Sequence, residues 1–129
     1  MKSMVYIIQP FGYKSSLTKI IKKFLNEKYP DKKFKIKRYY NTKNRTTLAN
    51  TYFIINDPNL RSWNGLQISQ KIRKNEPKAI LILASTEIDY IKFFRSHVGF
   101  LGVIDINNIN TSEIENYLED SIKLSQKDN

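Results

Sequence analysis

The sequence predicts an α/β domain: a doubly wound parallel sheet of five strands, with helices on both faces and a short or missing second helix. Three observations predict it. Apolar runs of strand length alternate with stripes of helical period along the whole chain of 129 residues, the pattern of repeated β-strand and crossover-helix units. The length suits one ordinary domain, able to bury roughly two-thirds of its unfolded surface. No internal repeat, low-complexity stretch or linker divides residues 1–129, which therefore read as a single domain.

The elements follow in order. Residues 4–8 (Met-Val-Tyr-Ile-Ile) form a short buried strand bounded by Pro10 and Gly12. Ser15 or Ser16 caps a helix whose inward stripe is Leu17, Ile20, Ile21, Phe24 and Leu25, ending at Tyr29-Pro30-Asp31. Residues 34–40 set Phe34, Ile36 and Arg38 against Lys35, Lys37 and Tyr39, which suits a half-exposed or edge strand. Residues 41–50 hold barely a helical turn or two, so the second crossover helix is short or lost. Residues 52–55 make the next strand, closed by Asn56-Asp57-Pro58. Leu66, Ile68 and Ile72 mark a short helix ending near Asn75-Glu76-Pro77. Residues 79–83 are a buried strand, after which Ser85 or Thr86 opens a helix carrying Ile88, Ile91, Phe94 and Val98 inward. Residues 101–106 are the fifth strand. Asn110 and Glu113 can form a capping box for a last helix with Ile114, Tyr117, Leu118 and Ile122 inward.

Composition narrows the function classes. No apolar run approaches the ~20 residues of a membrane helix and no secretory leader is visible, so no membrane association and a cytoplasmic location are expected. The absence of cysteine rules out disulfides and thiolate chemistry, and a single histidine, His97, argues against zinc. No metal and no cofactor are expected. The net charge of +10 is uneven: residues 1–40 carry eleven Lys/Arg against two acids, residues 105–129 six acids against two lysines. A basic lobe attracts nucleic acid or an acidic partner, yet a lysine-rich solvated surface explains it equally.

Three stretches together resemble the receiver domains of bacterial response regulators, most closely those attached to LytTR-type DNA-binding domains in Gram-positive peptide signalling. They are Tyr52-Phe-Ile-Ile-Asn-Asp57 with Asn64-Gly65-Leu66; Ile68 to Pro77, with Lys71-Ile-Arg-Lys74; and Ile80-Leu-Ile-Leu-Ala-Ser-Thr-Glu87 followed by Tyr90, Phe94 and Gly99-Phe-Leu101. The likeness covers almost the whole chain in element order and implies a flavodoxin-like (βα)5 fold. It also implies a strand-end pocket of acids after strand one, a phosphoacceptor aspartate after strand three, a hydroxyl after strand four and a lysine in strand five. Acids and aspartate hold Mg²⁺ through oxygens, and metal and lysine neutralise the transferring phosphoryl group.

In this chain those positions read Gln9 and Pro10 for the acid pair, Leu83 for the hydroxyl (Ser85 after a slip), Asp105 for the lysine and Gly102 for the switch aromatic. The acceptor is Asp57, or Asn56 in a register shifted by one. Asp57 without partners reads as a turn residue bonding the local backbone ahead of Pro58. Asp57 and Asp105 could also face each other, which raises one pKa or admits a cation. Tyr90, Phe93 and His97 form a second stripe on the fourth crossover helix, suited to a partner face or to completing the core; His97 alone reads as a surface residue at the helix end. Trp63 reads as a partner anchor or a cover for the pocket mouth.

The expectation is therefore a non-catalytic pseudo-receiver, not an enzyme, acting by phosphorylation-independent protein interaction or homodimerisation in transcriptional or signalling control. Any DNA contact would run through an output domain not in this chain. Two alternatives stand beside it: a basic nucleic-acid-binding module using the first helix and the Lys/aromatic strand at residues 32–40, and a receiver still phosphorylatable at Asp57.

Overall fold

Central strands without charge, flanked by amphipathic helices, leave one economical arrangement, and a computed structural model adopts it. The structure describes residues 2–43 and 46–127. Five strands run β1 (Val5–Ile8), β2 (Phe34–Lys37), β3 (Thr51–Asn56), β4 (Ile80–Ser85) and β5 (Gly102–Asp105). All pairings are parallel, in the order β2-β1-β3-β4-β5. The helices are α1 (Leu17–Lys28), α2 (Gly65–Asn75), α3 (Tyr90–Arg95) and α4 (Thr111–Lys127), with a single 3₁₀ turn at Ile106–Asn108.

Side chains alternate across each strand, so the sheet builds two cores. Val5, Ile7, Phe53, Ile55, Ile82 and Ala84 meet Ile21, Leu25, Ile114 and Leu118 of α1 and α4 on one face. Ile8, Tyr52, Ile54, Leu81 and Leu83 meet Ile72 of α2 and Phe93 of α3 on the other. All six residues of β3 are buried, as a strand covered on both faces must be. Glu119 of α4 ties the helices of the first face together, bonding Lys28 Nζ at 3.1 Å and accepting from the Tyr29 hydroxyl at 2.7 Å.

The second crossover has no helix among the described residues: β2 leads to β3 through bends and turns alone. β2 is the sheet edge, as its alternating pattern predicts. On this side of the sheet the chain substitutes side chains for the helix, stacking Tyr6 on Tyr52 at 5.0 Å and setting Tyr40 edge-on to Tyr52 at 5.9 Å. Their support is Glu76, only 1% exposed. Its carboxylate accepts from the hydroxyls of Tyr52 (2.5 Å) and Tyr40 (2.6 Å) and from Asn50 Nδ2 (3.4 Å).

α3 departs from the expected helix. Ser85 ends β4 instead of opening the helix, and Asp89 is the cap, its Oδ1 accepting from Lys92 N at 3.0 Å. The turn at 86–88 shifts the helical phase, and the helix closes after six residues with His97 in the left-handed region at φ 58°. With that phase Phe93 alone points into the core, while Ile91 and Phe94, expected inside, stand 67% and 84% exposed. Arg73 of α2 holds the loop that follows, donating to the carbonyls of Val98 (2.6 Å) and Pro77 (2.8 Å).

Candidate functional site

Parallel sheets present loops at the carboxyl ends of their strands, and the candidate residues gather there. Register places Asn56, Ser85 and Asp105 level at the ends of β3, β4 and β5. Gln9 and Pro10 follow β1 directly. What brings α2 hard against this end is Gly65: a Cβ there would collide with Ile55 O and lie 2.8 Å from the Asn56 backbone. The Asn64-Gly65 pair is thus a cap followed by a close approach, with Asn64 Oδ1 accepting from Gln67 N at 2.9 Å.

The polar groups at the strand ends are committed to one another. Asn56 donates from Nδ2 to Ser85 Oγ at 3.1 Å, and Ser85 Oγ donates to Glu87 O at 2.6 Å. The Asp57 carboxylate accepts from Asn59 N at 3.0 Å and from Thr86 Oγ1 at 3.3 Å. Asp57 therefore serves as the turn residue its Asp-Pro-Asn context suggests. The hydroxyls at this level are Ser85 and Thr86, not Leu83. Leu83 is fully buried two residues before the strand end, paired with Ile54 and facing the core under α2 and α3.

Asp105 turns to its own chain. Its Oδ1 accepts from Asn107 N (3.0 Å) and its Oδ2 from Asn108 Nδ2 (3.2 Å), capping the 3₁₀ turn. Gly102 lies beneath the Tyr117 ring of α4, close enough that a Cβ would overlap that ring. An aromatic from α4 thus fills the space beside the position where the receiver resemblance places its own. Trp63 is half-buried against the second core and donates from Nε1 to Ile55 O at 2.8 Å, so it packs over the end of β3.

Tyr13, which stands in no motif, belongs to the site. Gly12 at φ 76° turns the loop after β1 and brings Tyr13 in beside Asp57. Burial, and then the Asp57 carboxylate, raise its phenol above the ordinary value.

A receiver-like site implies Mg²⁺, a hard cation that takes six oxygens with carboxylates among them. Asp57 takes both of its hydrogen bonds on Oδ1, Asp105 bonds its own turn through both oxygens, and Gln9 contributes a neutral oxygen, buried and without a hydrogen-bond partner among the described residues. Among those residues no three His, Asp or Glu side chains converge. The donor set does not fit that metal.

No family model matches the chain, and no curated protein is significantly similar to it. Solved structures do match. A CheY-like response regulator receiver domain from Methanospirillum hungatei JF-1 superposes with a TM-score of 0.64 at 12% identity, covering 100% of both chains. The signal receiver domain of a Luxo repressor protein from Vibrio parahaemolyticus gives 0.65 at 13% identity, over 98% of this chain and 94% of the other. The phosphorylated cyanobacterial phytochrome response regulator RcpA gives 0.61 at 13%, over 98% and 95%. The fold is that of receiver domains. In this chain the strand ends and the loops after them carry Asp57, Ser85 and Thr86 together with Gln9, Pro10 and Asp105.

The structure also alters the partner face. Phe93 is buried, and what faces solvent on α3 is Tyr90 (68%), Ile91 (67%) and Phe94 (84%), with His97 exposed beyond the helix. Beside Phe94 runs a groove of about 560 Å³ between α3 and β5, lined by Tyr90, Phe93, His97, Gly99, Phe100 and Val103.

Proposed function

We propose that this chain is a receiver-type domain of response-regulator signalling that works without phosphorylation, by pairing with a second copy of itself. Its place would be the one the LytTR-like resemblance suggests, transcriptional or signalling control exerted through an output domain outside this chain. The observation that carries the reading is the α3 surface: a Phe94 ring almost fully in water on the wall of a groove lined mostly by aromatic side chains. Exposed aromatics at such density belong to interfaces. A projecting ring and a groove on one surface also allow the reciprocal contact of a two-fold dimer. The lack of a phosphorylation requirement is supported by the uncharged Gln9 and Pro10 after β1 and by the acid Asp105 at the end of β5, which leave Asp57 without a second metal carboxylate or a lysine at those positions.

Sedimentation velocity across a concentration series tests the reading. The expected result is a reversible dimer without any phosphodonor, converted to monomer by Phe94→Glu while the thermal midpoint is retained. A wild-type chain still monomeric at about 1 mM, where only millimolar affinities remain unseen, refutes it. Steep salt-dependent binding of DNA to the lysine-rich β2 edge would favour the nucleic-acid alternative.

A further inference from the structure

We infer that the groove over β1 and β2, where the second crossover has no helix among the described residues, is a binding site for a mononucleotide: an aromatic base stacked on tyrosine, its phosphates held by lysines. The inference goes beyond the signalling role and uses a different part of the surface. Where a helix would cover β1 and β2, a cavity of about 450 Å³ opens, within the size range of small-ligand sites. Its apolar walls are Tyr6, Tyr40 and Tyr52, and its charged ones Lys2, Lys37 and Lys43; none of the described residues lining it is acidic.

The chemistry of the lining selects the ligand. Tyr6 and Tyr52 lie nearly parallel, 16° apart at 5.0 Å, so buried Tyr52 backs the half-buried Tyr6 ring, the member of the pair that can stack with a ligand. Lys37 Nζ sits 5.3 Å from the Tyr6 ring centroid, a cation held on a face that an aromatic ligand would share. A purely apolar ligand would leave three ammonium groups without counter-charge. A bare phosphate would leave the aromatic surface unused. A base joined to phosphate satisfies both.

The platform is held rigid from behind. Glu76 binds the Tyr40 and Tyr52 hydroxyls, and Asn75 Nδ2 donates to the Tyr40 oxygen at 2.8 Å. Burying a carboxylate this deeply has a desolvation cost that an apolar core residue would avoid. Fixing two ring planes beside a cavity is a return for it, because preorganised surfaces lose less entropy on binding. The Asn50 amide is used internally, its Oδ1 accepting from Met4 N at 2.8 Å and its Nδ2 donating to Glu76. Recognition would therefore rest on stacking and charge and discriminate weakly among bases, as stacking does.

Isothermal titration of the whole chain at low salt tests this, with ADP, adenosine, inorganic phosphate and a ten-nucleotide oligothymidylate as the titrants. The expected result is saturable 1:1 binding of ADP, with adenosine and phosphate each weaker by about tenfold or more, since each keeps half of the contacts. Lys37→Gln and Tyr6→Leu should each weaken ADP about tenfold. Lys19→Gln, which removes the same charge from the exposed side of α1, should leave it unchanged. If Tyr6→Leu fails to fold, by circular dichroism, Lys2→Gln joins Lys37→Gln as the second variant, with the same loss expected. Absence of saturable ADP binding overturns the inference, as does binding indifferent to Lys37. Oligothymidylate binding about tenfold tighter than ADP and lost in the same variants also overturns it, in favour of a single-stranded nucleic acid site.

Discussion

Replacing Glu76 by alanine isolates the device that stands in for a helix. The backbone role of residue 76 survives: its N–H bonds Ile72 O at 2.7 Å and its carbonyl accepts from Ala79 N at 3.0 Å. What disappears is the acceptor for Tyr52, Tyr40 and Asn50. Tyr52 and Asn50 are each 5% exposed, so their donors cannot turn to water without opening the structure; half-buried Tyr40 can. Two stranded donors at about 1–3 kcal/mol each give about 2–6 kcal/mol. Relief from desolvating a carboxylate offsets part of this, leaving about 2–4 kcal/mol. Glu76→Gln keeps the outline and one acceptor oxygen, and should cost about 1–2 kcal/mol. Urea unfolding followed by far-ultraviolet circular dichroism reads the difference. With a slope of about 1–3 kcal/mol per molar, the midpoint for Glu76→Ala should fall by at least about 0.7 M. Phe at positions 40 and 52 should then soften the penalty, because the stranded hydroxyls are gone. An alanine variant within about 0.5 kcal/mol of the parent would refute the clamp.

Other outcomes follow from the same geometry. Burial, and then Glu76, push the phenols of Tyr52 and Tyr40 well above their ordinary value. The folded state thus keeps protons that the unfolded state releases near pH 10. Stability is intact below about pH 10 and falls above it, for Tyr52 by up to about 1.4 kcal/mol per pH unit; urea midpoints measured from pH 8 to 11 should show the fall, and Tyr52→Phe should flatten it. Gly65→Ala meets backbone at Ile55 and Asn56 and should cost about 1–3 kcal/mol, whereas Gly102→Ala meets only the end of the Tyr117 ring, which can swing aside, and should cost about 1 kcal/mol or less. Paired thermal melts compare them. Beryllofluoride with Mg²⁺ should leave Trp63 fluorescence unchanged; a saturable change lost in Asp57→Asn would restore a working phosphoryl site.

The parallel five-stranded sheet and the short or missing second crossover helix were legible because they rest on signals that tertiary packing reinforces. Uninterrupted apolar strands, ten residues too short for strand-helix-strand, and Lys-alternating β2 all point one way. The phase of α3 was not legible. Ile88, Ile91, Phe94 and Val98 fit an inward stripe as well as Phe93 does, and only the cap at Asp89, decided by where β4 ends, breaks the tie. The hydroxyl position stayed open between Leu83 and Ser85 for a related reason: β4 runs two residues beyond its apolar core, to Ser85. Tyr13 carries no signal along the sequence, since its meeting with Asp57 depends on a loop turned by Gly12. Glu76 was read as a helix exit, and nothing in its neighbours announces a buried carboxylate served by tyrosines from two other segments.

β2 has one strand neighbour and, over Lys35 and Lys37, no helix among the described residues to hold it down. Its backbone hydrogen bonds to β1 therefore have fewer restraints than those of β3, which is buried along its whole length. Amide exchange should find this edge opening at a small fraction of the global unfolding free energy while the β3–β4 centre exchanges only on complete unfolding. A domain built this way has one soft margin and a hard middle, so a partner that pairs with β2 must first offset the cost of ordering it.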